Sequence, residues 1–504
     1  MKLSSRPALL LTVFLGLALR LINLNARPLW YDEAFAVLYS EKSLAAMVYG
    51  TVTRVQGAAA DVHPLFYYFS LHYWMSLFGQ SPLAVRLPSV LAGVLTIGLA
   101  YLIGRALWDA KTGLLAGVLV AVSPFHIAYS QETRMYALLG LAASASLYSF
   151  IRAWGSGRRR WWLAYGLCGA ITLYAHNLGF LNILAIDLWA VWCWWRVRRV
   201  SFFPEMVWSH GLMLALFSPW LMLVPSQLGK IEQSYWVQQP GPAELVQTLI
   251  TFHTNLPLPG WAVPPALFLS LLVVTLVGVE LVRLQRPGQA PAPNLGLPLL
   301  GAWVPIVVLF AVSQYRPVYI IRALLPAALA YYQLIALVLA RGLMPRSLKG
   351  GLSAAVLAFL LFSLSYHYTF AGFPRPPFVQ AAAALSQNVQ DGQTIVHSNK
   401  LTFFPMHYYR PDLAQTFIAD PAGDGSDTLA YPTQEALGLF AAPTIEAAAR
   451  GQEAIWFVIF RRAEQEYLAA GYTGHPHKLW LDEHYRLAGK LSFNDLDIYR
   501  YEAR

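Results

Sequence analysis

The chain has 504 residues, 57% of them hydrophobic and only 12% charged, with 17 Trp and a net charge of +10. A charged fraction this far below the roughly one quarter of soluble domains excludes an ordinary soluble enzyme. The positive charge does not point to nucleic acid either. Residues 1–370 hold 25 Lys/Arg against 11 Asp/Glu, residues 371–504 hold 11 against 15, and the excess sits in short loops between apolar runs.

Those runs are about 18–24 residues long, enough to cross a hydrocarbon core of roughly 30 Å. The pattern predicts an α-helical multi-pass membrane protein of about eleven spans, near 7–24, 84–104, 112–128, 135–153, 161–176, 178–195, 206–225, 262–282, 297–313, 320–340 and 351–370. No small-residue cleavage site follows the first run, so it reads as a span and not as a signal peptide. With the N-terminus in the cytosol, every cytosolic connection is basic. Lys2 and Arg6 come first, then Arg105 and Lys111, Arg152 with Arg158–Arg160, Arg196 with Arg198 and Arg199, Arg283 and Arg286, and Arg341 with Arg346 and Lys349. This is the positive-inside pattern, and it places residues 371–504 outside the cytosol.

Two connections on the outer side are long, 25–83 and 226–261, and long ordered loops tend to carry function. Within the first, the stretch 64–78 is apolar but too short to span, and reads as an aromatic interfacial helix. Cys168 and Cys193 fall in predicted spans and read as small packing residues. Asp187, inside the sixth span, calls for a partner on a neighbouring helix and takes no assigned role.

The chain divides into a membrane domain, 1–370, and a C-terminal extracytoplasmic α/β domain, 371–504. The junction Gly372-Phe373-Pro374-Arg375-Pro376-Pro377 breaks the last span. Beyond it, 378–389 reads as a helix, and 393–397, 455–460 and 495–501 read as strands. This domain has no phosphate loop and no nucleotide fingerprint.

Carboxylates are scarce, so adjacent ones at a membrane boundary draw notice. Pro28-Leu29-Trp30-Tyr31-Asp32-Glu33-Ala34-Phe35 follows the first span directly. Asp32 fits a helix N-cap, and equally a general base at the water boundary that takes a proton from an acceptor hydroxyl. Asp61-Val62-His63-Pro64 reads as a loop before a helix or as further polar groups facing a site. Asp61, His63 and Glu132 have the ligand chemistry of a divalent cation site, although their spacing matches no cation motif. Ser130-Gln131-Glu132-Thr133-Arg134-Met135-Tyr136 opens the fourth span from outside, with Arg134 past its first turn, where an anionic partner would compensate it. Arg86 and Arg322 sit near span ends on the same side, and Arg316 precedes Pro317 in a loop. Several arginines at one depth suit a phosphate headgroup.

Trp30-Tyr31-Asp32-Glu33-Ala34, Asp61-Val62-His63-Pro64-Leu65-Phe66-Tyr67-Tyr68, Arg86-Leu87-Pro88-Ser89 and Ser130-Gln131-Glu132-Thr133-Arg134-Met135-Tyr136, in this order, make the chain resemble the GT-C superfamily of integral-membrane glycosyltransferases. Within it the resemblance is to bacterial proteins similar to protein O-mannosyltransferases and aminoarabinose transferases. It covers roughly 20–370; Leu65 stands where a typical member has a second Pro.

The resemblance implies a polyprenyl-phosphate-linked sugar donor, a lipid, glycan or protein acceptor, and transfer at the extracytoplasmic face of the cell membrane. It makes Asp32, with Glu33 beside it, the catalytic acid position. Asp61, His63, Glu132 and Tyr136 become substrate-side polar positions. Arg86 and Arg134, with Arg316 and Arg322, become candidates to meet the lipid phosphate. The rival expectation is a transporter or flippase of lipid-linked sugars, which would more often show paired repeats and Gly/Pro-broken helices.

Overall fold

The computed structural model describes residues 5–55, 62–197, 203–233, 237–285, 295–420 and 429–504. Its contacts divide the chain into two compact units. The first comprises 1–22, 86–222 and 237–369; the second comprises 23–85, 223–236 and 370–504.

The first unit is helical. Each of the eleven predicted windows falls on a helix, but the helices are not equally suited to cross a membrane. Among the described residues seven are long and apolar enough: Pro82–Leu107, Tyr136–Ser156, Asn177–Arg196, Gly260–Leu284, Gly296–Ser313, Ile321–Arg341 and Arg346–Thr369. An eighth forms if the bent pair Ala110–Val122 and Pro124–Ser130 is one span. The remaining windows are helices Ser5–Leu21, Arg159–Ala175 and Phe203–Leu221, of 17, 17 and 19 residues. The first two are shorter than any of the seven, and Glu205, Ser209 and His210 interrupt the apolar run of the third. Helix Ile321–Arg341 is central, with 83% of its apolar window buried, whereas Arg346–Thr369 has 17% buried and turns Leu357 and Leu361 outward. Such outward leucines suit a lipid surround. Asp187 does find a neighbouring helix: it pairs with His210 at 3.1 Å.

The second unit is built on a six-stranded sheet of order β3-β2-β1-β4-β6-β5. Its strands are β1 (Thr394–His397), β2 (Gln415–Ile418), β3 (Ala441–Ala442), β4 (Ala454–Phe460), β5 (Tyr485–Phe493) and β6 (Leu496–Ala503). β3, β2, β1 and β4 run parallel; β6 and β5 add an antiparallel hairpin. β4 is buried along all seven residues, as a central strand covered on both faces must be. Trp456, Val458 and Phe460 join one core with helix Phe378–Asn388, and Ile455, Phe457 and Ile459 join the other with Ile445 and Leu481.

The long segment 23–85 belongs to this second unit. It forms helices Tyr31–Ser40, Leu44–Val52 and Phe66–Phe78, the last of 13 residues and outside the group of spans. Helix Leu44–Val52 packs on helix Tyr431–Leu437 at Gly50. A Cβ there would lie 2.6 Å from the Tyr39 hydroxyl and 2.9 Å from Ala436 Cβ, so only glycine allows the approach.

Candidate active site

In the second unit the acidic segment enters helix Tyr31–Ser40. Its N-cap is Trp30, in extended conformation and without a side-chain capping bond. Asp32 is therefore not the cap that its residue type suggested; it lies one residue into the first turn, where negative charge complements the helix dipole. Asp32 is half-buried and Glu33 fully buried. A buried carboxylate needs a charge partner, and Arg375 supplies it, with Nη1 3.7 Å from Glu33 Oε2. The Arg375 guanidinium also lies 5.8 Å from the Trp30 ring centroid. Lys400 Nζ lies 5.1 Å from the centroid of Tyr31.

Aromatic packing fixes the helix. Phe35 stacks on Tyr39 at 5.2 Å, and Tyr68 meets Tyr39 edge-on at 5.3 Å. The Tyr39 hydroxyl donates to Met47 O at 2.7 Å. Of the other positions named from the sequence in this segment, His63 sits half-buried in a bend, and Asp61 lies outside the described residues. Among the described residues no group of three His, Cys, Asp or Glu side chains is placed to hold a metal ion.

The first unit carries a second constellation. Helix Ala110–Val122 breaks at Ser123, and Pro124–Ser130 leaves at 60°. Pro124 has no N–H to donate to Val120, so the turn before it loses its helical partners. Arg20 takes over: its guanidinium donates to Val120 O and Ala121 O, each at 3.1 Å, to Ser130 Oγ at 3.1 Å and to Gly16 O at 2.8 Å, and meets His126 Nδ1 at 2.7 Å.

The next five residues, 131–135, are non-helical and buried. Irregular backbone is tolerated among membrane helices only where protein surrounds it. Gln131 ties it down through Nε2 to Arg20 O and Ile22 O, and through Oε1 to His367 at 3.0 Å. Glu132 and Arg134 are buried within this segment. Arg134 precedes helix Tyr136–Ser156 and is not past its first turn; the polar residues stay in the break and the helix starts at Tyr136.

The structure brings some predicted residues together here. Ser89 Oγ reaches Arg134 O at 3.4 Å, from one turn beyond the fully buried Arg86. Tyr136, also fully buried, lies 5.2 Å from the Arg322 guanidinium. Arg316 is exposed in its loop.

Sequence reasoning missed Arg20, Arg375 and Lys400. An arginine inside the first apolar run was a usable signal for Arg20; nothing local marks the other two. An apolar cavity of about 190 Å³ lies among the first unit's helices, with Ser123, His253, Tyr332, Lys349 and Ser353 as its polar lining residues. None of the candidate site residues named from the sequence lines it.

Comparison with known proteins bears on this arrangement. A family model described as dolichyl-phosphate-mannose-protein mannosyltransferase matches residues 62–223. The undecaprenyl phosphate-alpha-4-amino-4-deoxy-L-arabinose arabinosyl transferase of Pseudomonas aeruginosa is 28% identical over 175 residues, covering 32% of this chain and 31% of that relative. The alignment thus spans about a third of the relative's length.

Solved structures cover far more. ArnT from Cupriavidus metallidurans, in its apo state, superposes with TM-score 0.63 at 14% identity over 97% of each chain. The same protein bound to undecaprenyl phosphate gives 0.62 at 13% identity over 97% of each chain. The apo oligosaccharyltransferase of Archaeoglobus fulgidus gives 0.58 at 13% identity, covering all of this chain and 75% of that one. The fold of this chain is the one these membrane proteins share, the GT-C fold anticipated from the four motifs.

Proposed function

We propose that this chain, which carries the GT-C fold, is a glycosyltransferase that moves a sugar from a polyprenyl-phosphate carrier to an acceptor hydroxyl. Asp32 Oδ accepts the proton of that hydroxyl. The freed oxygen forms a bond to the anomeric carbon as the bond from that carbon to the phosphate oxygen breaks. Polyprenyl phosphate leaves with the electron pair. A single displacement of this kind inverts the anomeric centre. Phosphate is a good leaving group, so the step needs charge stabilisation more than a general acid. Arg86, Arg134, Arg316 and Arg322 are the residues proposed to supply it. Glu33 holds the first turn through Arg375, while Asp61, His63, Glu132 and Tyr136 serve the substrate side.

The observation that carries the reading is the half-buried Asp32 on the first turn of a helix, held beside a buried Glu33–Arg375 pair, in a GT-C fold. The named relatives argue for transfer over flipping: the matched family model and the Pseudomonas protein are transferases by description, and ArnT is solved with undecaprenyl phosphate. The basic connections argue for a cytosolic N-terminus in a cell membrane and for residues 371–504 on the extracytoplasmic side.

The test is incubation of proteoliposomes with a radiolabelled polyprenyl-phosphate sugar and an extract of envelope acceptors. Transfer predicts label in a new glycosidic bond stable to mild acid. Label that only crosses the bilayer, still on its carrier, would establish the flippase instead.

A further inference from the structure

The C-terminal segment 371–504 contains eleven Lys and Arg residues, and among them only Arg375 and Lys400 are buried, at 9% and 5% exposure. Both lie against the same four residues, Trp30 to Glu33. Arg375 pairs with Glu33 at 3.7 Å and lies over Trp30; Lys400 lies over Tyr31. Burying a cation is costly unless something compensates it.

The local setting of Lys400 raises that cost. It is the first residue of helix Lys400–Tyr409, where positive charge opposes the helix dipole. Asn399 already caps that helix through Leu401 N at 3.0 Å, so the helix gains nothing from an ammonium there. The ammonium lies over the Tyr31 ring, a cation–π contact that ties the helix start to the acidic segment.

The rest of that helix runs along the acidic segment. Phe404 meets Tyr31 at 5.7 Å and Phe35 at 5.8 Å, and the Tyr409 hydroxyl accepts from Leu29 N at 2.8 Å. Asp32 is thus bracketed: Leu29, Trp30, Tyr31 and Glu33 each contact a residue from 371–504.

We infer that Arg375 and Lys400 are positioning residues for the transfer reaction, acting through Glu33 and Tyr31 to set the first turn that carries Asp32. The C-terminal domain then contributes to the reaction itself. This inference rests on the assignment of Asp32 as base.

The experiment compares wild type, Asp32→Asn, Arg375→Gln, Arg375→Lys, Lys400→Met and Lys400→Arg in one transferase assay, with rates normalised to monodisperse protein. Arg461→Gln is the control; Arg461 is a half-exposed partner of Asp497, which Lys490 also holds at 2.8 Å. Misplacing a reacting group by about 1 Å costs up to ~100-fold.

The inference predicts kcat lowered ~10- to 100-fold in Arg375→Gln and Lys400→Met with donor KM within threefold of wild type. It predicts recovery of most of kcat in Lys400→Arg, partial recovery in Arg375→Lys, and wild-type kcat in Arg461→Gln. Arg375→Gln combined with Glu33→Gln should be no worse than the poorer single variant, because the two act as one unit. Folded Arg375→Gln and Lys400→Met proteins with kcat within twofold of wild type would overturn it, as would equal losses in Arg461→Gln. Failure of the base assignment looks different: Asp32→Asn would then keep its activity. If Arg375→Gln does not fold, Lys400→Met and its arginine rescue decide alone.

Discussion

Arg322 and Tyr136 form the pair on which the phosphate assignment is most open to test at single residues. The guanidinium lies 5.2 Å from a fully buried ring, which orients its planar fork. A hydrogen bond to a charged group contributes about 1.5–3 kcal/mol. Arg322→Gln is accordingly expected to raise the donor KM about 10- to 100-fold, read from initial rates against donor concentration. Arg322→Lys should recover only part of it, since an ammonium is a point charge. Unchanged donor KM in both variants would remove Arg322 from the site.

Legibility at this scale followed chemistry more than position. Asp32 and Glu33 stood out because acids are rare here, yet the cap is Trp30 and not Asp32. Arg20 was passed over because it hides in an apolar run; its role follows from carbonyls that a distant proline releases. That is a relation between residues 100 apart.

Elements were legible where one period dominates. The eleven apolar windows are all helical, and the three helices outside the seven spans and the bent pair are two of only 17 residues and one whose apolar run is interrupted by Glu205, Ser209 and His210. β4 was readable as a run of apolar, largely β-branched and aromatic residues with no polar interruption. β3, of two residues, offered no pattern. The same logic predicts cost. Phe457 is fully buried on the central strand, so Phe457→Ala should destabilise the sheet by about 3–5 kcal/mol, seen as accelerated amide exchange across β1, β4 and β6.

The sheet unit should also loosen in acid. Burial pushes His475 down to about 3, with His477 adding to the shift, and burial pushes His477 down to about 4 against the opposing pull of Glu446. The unfolded chain takes up these protons near pH 6.5 and the folded one does not. Stability is therefore full above about pH 6.5 and falls as pH drops toward 4. Amide exchange in helix Pro476–His484 should rise over that window and rise less in His477→Gln. A pH-independent exchange rate, after correction for intrinsic chemistry, would contradict this.

For the whole molecule, the informative fact is how the long connections are used. Residues 23–85 and 223–236 join 370–504 in one unit, so the segment bearing Asp32 packs with a domain more than 300 residues away in sequence. The sequence marked the first connection as long, but no periodicity reports which distant segment it packs against. Arg375 looked like part of a Gly/Pro junction for the same reason.

Charge does carry whole-molecule information. The basic connections predict that a cysteine placed at Arg158 reacts with an impermeant maleimide only after the cell membrane is opened, while one placed at Arg486 reacts in spheroplasts. The reverse pattern would invert the topology and put Asp32 on the cytosolic side.

Single-turnover transfer by purified protein in proteoliposomes, with a defined polyprenyl-phosphate sugar and a defined hydroxyl acceptor, tests the role of Asp32 most directly when wild type is compared with Asp32→Asn. General-base catalysis contributes about 10²- to 10⁴-fold, so the variant should bind donor with unchanged affinity and transfer at least about a hundredfold more slowly. Transfer by Asp32→Asn at the wild-type rate would show that the proton leaves by another route, and the mechanism proposed for this chain would be wrong.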